Sequence, residues 1–136
     1  CLFTMKNAKI LLIEDEEVIR RLVGRLISGM GHELILAGTV RDGLKKIAES
    51  ESLQLLLTDI RLPDGNGRDL IRAFNQRFPL APIIVITGSF GIKESLKETP
   101  ELKVTQCLCK PFDLTEMEKT VCEALGGLPG GQKNER

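Results

Sequence analysis

No excess of one charge runs through this chain. Nineteen lysines and arginines balance nineteen aspartates and glutamates, and without a basic stripe there is no electrostatic footprint for nucleic acid. Direct DNA binding by this chain is therefore not expected. Long apolar runs are missing too: Ile10 to Ile13 and Ile83 to Ile86 fall far short of the ~20 residues that a membrane helix requires. Membrane insertion is not expected either. Cys1, Cys107, Cys109 and Cys122 lack zinc-ligand spacing, which argues against a metal-thiolate site. A charged start followed by a long apolar region is absent, so there is no secretory signal to read. The expected compartment is reducing and cytoplasmic.

What is present fits one domain. A chain of 136 residues buries one substantial core but is too short for two ordinary domains. Cys1-Leu2-Phe3-Thr4 ahead of Met5 reads as a tag remnant or an arbitrary excision boundary, and residues 1–8 are set aside as lead-in. Residues 126–136, which open Gly126-Gly127-Leu128-Pro129-Gly130-Gly131, have the composition of a flexible linker or tail. That tail fits a domain cut from a larger kinase or regulator, with a stand-alone domain as the alternative.

Between these ends, over 9–125, five short runs rich in Val, Ile and Leu alternate with longer segments of helical spacing. This is the pattern of an α/β domain whose parallel sheet is covered on both faces. Lys9 to Ile13 is the first strand, and Val18, Leu22, Val23, Leu26 and Ile27 mark the buried face of a helix that Gly29 and Gly31 close. A second strand at Glu33 to Ala37 precedes Thr39 as N-cap, with Val40, Leu44, Ile47 and Ala48 as the next apolar stripe. Leu53 to Thr58 is the third strand, followed by the loop signal Pro63-Asp64-Gly65-Asn66-Gly67 and a helix through Leu70, Ile71 and Phe74. Ile83 to Thr87 suits a central strand, Lys93 to Glu98 a short charged helix, Val104 to Cys109 a fifth strand and Leu114 to Leu125 a last helix.

The acids fall where strands stop: Glu14 and Asp15 after the first, Asp59 after the third. In open α/β sheets, ligands bind beyond the carboxyl ends of the strands, near the point where strand order reverses. Converging carboxylates about 4 Å apart would repel by ~4 kcal/mol per pair at an effective dielectric of 20, so a cation or a raised pKa must relieve the charge. Oxygen ligands favour a hard ion, and Mg2+ with retained waters is the natural choice. For Glu14-Asp15 alone, a solvated helix cap is an equally good account. Asp59 ends a strand expected to be buried, and its carboxylate can act as a nucleophile toward phosphorus without losing a proton. Thr87 adds a hydroxyl at the end of the fourth strand, and Lys110 adds an ammonium at the end of the fifth.

Four segments, Ile10-Leu11-Leu12-Ile13-Glu14-Asp15-Glu16, Leu56-Leu57-Thr58-Asp59 through Pro63-Asp64-Gly65-Asn66-Gly67, Val85-Ile86-Thr87-Gly88 and Cys109-Lys110-Pro111-Phe112, resemble the response-regulator receiver family. The likeness runs from Lys9 to Leu125. It implies a flavodoxin-like, doubly wound fold with strand order 2-1-3-4-5 and phosphotransfer onto Asp59 from a histidine kinase or phosphotransfer protein. It further implies that Glu14 and Asp15 hold Mg2+ with Asp59 and the backbone carbonyl of Arg61, while Thr87 and Lys110 contact the phosphoryl oxygens. The acyl phosphate would then switch a face that binds an output domain or partner protein. Such a domain assists its own phosphorylation and dephosphorylation rather than turning over a separate substrate. Nothing in the residues sets an oligomeric state.

Three positions depart from the family's habit. Cys107 stands where an aromatic residue is common, Leu102-Lys103-Val104-Thr105-Gln106 replaces a small-residue and acidic turn, and Gly88 sits where alanine is frequent. A degenerate receiver that binds partners without phosphorylation is the main alternative, but it would lack Asp59, the acidic pair or Lys110, and none is missing. An aspartyl-phosphate phosphatase would place a second acid two positions after Asp59, where Arg61 stands.

Overall fold

The computed structural model describes residues 7–88, 102–110 and 112–126. Five parallel strands form the main sheet: β1 (Lys9–Ile13), β2 (Glu33–Ala37), β3 (Leu55–Asp59), β6 (Ile83–Thr87) and β7 (Gln106–Cys109). Their order is β2-β1-β3-β6-β7, the 2-1-3-4-5 arrangement once the two short strands inside the 59–67 loop are passed over. Those are β4 (Arg61–Leu62) and β5 (Gly65–Asn66), an antiparallel pair turning on Pro63 and Asp64.

Successive side chains of a strand point to opposite faces, so a buried parallel strand is apolar throughout. Leu11 and Ile13 enter one core with Val40 and Ile47 of α2 (Val40–Glu49) and Leu70, Ile71 and Phe74 of α3 (Arg68–Arg77). Ile10 and Leu12 enter the other with Val23 and Ile27 of α1 (Glu17–Gly29) and Met117, Val121 and Leu125 of α4 (Leu114–Gly126). The chain steps from β1 outward to β2, then back across to β3. The strand order therefore reverses between β1 and β3, and it is beyond the carboxyl ends of the strands at such a point that ligands of open α/β sheets bind.

Several expected details shift. Val23 and Ile27 of α1 are buried as expected, whereas Val18 and Leu22 are exposed and Gly24 is buried with the stripe. In α2, Leu44 and Ala48 face outward and the buried set is Val40, Gly43 and Ile47. Gly43 carries the difference, since a Cβ there would lie 2.7 Å from both Ile13 Cδ1 and Leu70 Cδ2. The absent side chain lets α2 sit close against β1 and α3. Thr39 caps α2 as expected, accepting from the Asp42 N–H at 3.0 Å.

The third strand starts at Leu55 rather than Leu53; at Gln54 the backbone N–H donates to Lys9 O at 2.8 Å, but it is the side-chain Oε1 that accepts the Lys9 N–H, at 2.6 Å. The fifth starts at Gln106 rather than Val104. There the hydroxyl of Thr105 accepts the Ile83 N–H at 3.1 Å, taking the place of a strand carbonyl. The helix expected over Lys93 to Glu98 and the tail beyond Gly126 lie outside the described residues.

Candidate functional site

Glu14 continues β1 by one hydrogen bond, its N–H donating to Ala37 O at 3.1 Å. Its side chain turns inward and is 0% exposed. The helix-cap account of the acidic pair therefore fails: the N-cap of α1 is Glu16, without a side-chain cap bond. Glu14 Oε2 accepts the Glu16 N–H at 3.0 Å. Glu14 Oε1 makes no hydrogen bond among the described residues, although Lys110 Nζ stands 3.0 Å away at ion-pair distance. Burial pushes the Glu14 pKa up, with the Glu16 N–H and Lys110 pulling against it. Asp15, one residue on, is exposed.

Asp59 closes β3 and is 7% exposed. Its Oδ1 accepts the Arg61 N–H at 3.2 Å, and its Oδ2 accepts from Lys110 Nζ at 2.8 Å. Gly67 makes this corner possible. Its N–H donates to Ile60 O at 2.6 Å, and a Cβ there would collide with the carbonyl oxygen of Asp59.

Lys110 follows β7, and its N–H donates to Thr87 O at 2.7 Å. Its ammonium lies within 3.2 Å of Glu14, Glu16 and Asp59. Burial by itself lowers the Lys110 pKa, but the charged contacts with Asp59 and Glu14 outweigh it and push the value above that of an ordinary lysine. The Lys110 ammonium thus supplies a cation among the crowded carboxylates.

Oxygens of Glu14, Asp15 and Asp59 lie within 4.8 Å of one another. Three carboxylates at this spacing, one with a buried oxygen that lacks a hydrogen bond, could hold a hard cation. The structure thus brings Glu14, Asp15, Asp59 and Lys110 together. Thr87 is buried at the end of β6, where Asp59 pairs in register with Ile86, one residue short of it. Arg61 faces outward and meets Asp59 through its backbone N–H.

Three further contacts, two at the site and one tying its loop to α2, escaped the sequence. Glu16 holds the Lys110 ammonium at 3.2 Å, and the acidic run Glu14-Asp15-Glu16-Glu17 was its only signal. Arg20 Nη1 donates to Glu14 O at 2.8 Å. Asp64 accepts the N–H groups of Val40 (2.7 Å) and Arg41 (3.0 Å) at the start of α2. No local pattern signals either of these last two.

A sheet of this order with acids at its switch point and a lysine reaching them defines a receiver-type domain. The family model for the response regulator receiver domain matches residues 10–122, and the chain belongs to that family. It is similar to the response regulator protein PilR of Pseudomonas aeruginosa, 33% identical over 89% of this chain and 27% of PilR. It is similar also to the DNA-binding transcriptional regulator NtrC of Azospirillum brasilense, 31% identical over 89% of this chain and 25% of NtrC. The chain thus spans 27% and 25% of the length of these two relatives. A solved CheY-like receiver domain from Methanospirillum hungatei JF-1 superposes with a TM-score of 0.79 at 27% identity, covering 88% of this chain and 94% of that one.

Proposed function

We propose that Asp59 accepts a phosphoryl group from a phosphohistidine on a histidine kinase or phosphotransfer protein, in the cytoplasm. The observation that carries this reading is the Asp59 carboxylate at the mouth of a buried strand end, 2.8 Å from the Lys110 ammonium and grouped with two further carboxylates. A carboxylate oxygen of Asp59 forms the new bond to phosphorus. The phosphorus–nitrogen bond to the imidazole breaks, and its electron pair leaves with the ring nitrogen. Lys110 follows the negative charge onto the phosphoryl oxygens, and the Thr87 hydroxyl donates to one of them.

Glu14, Asp15, Asp59 and the Arg61 carbonyl would hold Mg2+. When bound, the ion neutralises charge that spreads over the transferring group. The phosphorylated domain then biases an output domain or partner protein between two states.

Incubation with a small phosphodonor and Mg2+ should add one phosphoryl mass to the intact protein. The gain should vanish in Asp59→Asn and with a chelator. Labelling that persists in Asp59→Asn would place the acceptor elsewhere.

A further inference from the structure

The two acids at the end of β1 are adjacent in sequence yet point to opposite environments, Glu14 buried and Asp15 exposed. Their carboxylate oxygens nevertheless come within 4.8 Å of each other, and the rigid peptide unit that joins the two residues contains the Glu14 carbonyl. That carbonyl accepts from Arg20 Nη1 at 2.8 Å. Arg20 belongs to the first turns of α1, its own N–H donating to Glu16 O at 2.9 Å, so its side chain reaches back across the acidic loop. Gly38 leaves room for it: a Cβ at that position would lie 3.2 Å from Arg20 Nη1 and 3.9 Å from Glu14 O. Together with the Glu14 N–H on Ala37 O and the Glu16 N–H on Glu14 Oε2, this bond fixes both sides of Glu14. The buried Oε1 lies within the carboxylate cluster, with the Lys110 ammonium 3.0 Å away.

We propose that Arg20 is a positioning residue for the cation site, setting the peptide plane between Glu14 and Asp15 so that both carboxylates face one ion. The inference rests on the reading of that cluster as a Mg2+ site. Its sign separates it from an electrostatic effect. A guanidinium near a cation site repels the ion, so if charge alone mattered, removing Arg20 would tighten Mg2+ binding. If Arg20 positions the ligands, removing it weakens binding. Groups that orient metal ligands without touching the metal are typically worth about 10- to 100-fold in affinity.

The test is calorimetric titration of MgCl2 into the metal-free domain, with no phosphodonor, for the wild type, Arg20→Met and Arg20→Lys. Thermal unfolding of each metal-free protein accompanies the titration. Arg20→Met should bind Mg2+ about tenfold or more weakly. Arg20→Lys keeps the charge and one donor but loses the rigid fork, and should fall between the two. Affinity that is unchanged or tighter in Arg20→Met, with the fold intact, would overturn the inference alone. If Arg20→Met does not fold, Arg20→Lys decides: weaker binding supports the proposal and wild-type binding overturns it. A wild-type domain that shows no Mg2+ binding would overturn the underlying reading of the site, and the inference with it.

Discussion

Lys110 is the cation that lies among the carboxylates of Asp59, Glu14 and Glu16. Its ammonium meets Asp59 at 2.8 Å, Glu14 at 3.0 Å and Glu16 at 3.2 Å. Removing Lys110 leaves the buried Glu14 and Asp59 without their cation, while the exposed Glu16 is only slightly affected, and losing one partner of a buried charged pair costs more than the intact pair contributed. Lys110→Ala should therefore destabilise the metal-free domain by roughly 3 kcal/mol, the low end for such losses, because the Lys110 side chain keeps some contact with water. Urea denaturation at pH 7 in the presence of chelator measures this, and a midpoint equal to wild type would show that the cluster does not depend on Lys110. Cys107, at the position where the family commonly carries a ring, is half-buried and packs against the core on the α2 and α3 face. A side chain that small gains little by changing its exposure.

At the scale of elements, the loop after β3 is an antiparallel pair tied to α2. The Asp64 carboxylate takes two N–H groups at the start of that helix, from Val40 and Arg41, beside the Thr39 cap on Asp42. The first N–H groups of a helix have no partner within it, and an anion satisfies them with favourable charge. The bond from the Arg41 N–H, then that from Val40, holds the Asp64 pKa below the usual carboxylate value. A folded pKa below the unfolded one gives stability that is present above the unfolded value and lost as pH falls through the folded value. Asp64→Asn should thus be less stable than wild type at pH 7, and the gap should shrink toward pH 3. Paired urea titrations at the two pH values check this, and a gap that stays constant with pH would contradict it.

For the whole molecule, the end of the sheet opposite the site is closed around His32. This residue lies in the turn after α1, is 7% exposed, and its Nδ1 accepts the Ala8 N–H at 3.2 Å. Ala8 O in turn accepts the Glu33 N–H at 2.9 Å, and the Asn7 N–H donates to Gly31 O at 3.2 Å. The chain's approach to β1 is thereby sewn to the turn that leads into β2. Burial lowers the His32 pKa, so below the unfolded value of about 6.5 the unfolded chain binds more protons than the native one, and stability falls on acidification. Glu14 works in the opposite direction, since its raised pKa favours the native state as pH drops. The His32 contribution is therefore read from the difference between wild type and His32→Gln. Wild type should lose more stability between pH 7.5 and 5.5, as chemical denaturation at each pH would show, and parallel losses would remove His32 from the account.

The order of elements, the continuous apolar strands and the polar residues that end them are local properties of the chain. For that reason Glu14, Asp15, Asp59, Thr87 and Lys110 were all legible as strand-end residues, and parallel strands sharing one carboxyl edge bring Glu14, Asp15, Asp59 and Lys110 together. Val23, Ile27, Val40 and Ile47 were legible as sheet-facing residues, but the edges of the two stripes were not, because spacing defines a helical face only to within a residue or two. Val18 and Leu22 turned outward, and Gly43 proved to be a contact. Nor could spacing show that Glu14 would be buried and Asp15 exposed, or that Lys110 would bind Glu16 across 94 residues of chain. Those outcomes depend on how crossovers bring distant backbone groups together, as with Arg20 on the Glu14 carbonyl and Asp64 on α2. The alternation of side chains along a strand is a property of one segment, whereas a buried charge takes whatever partner the assembled sheet places beside it.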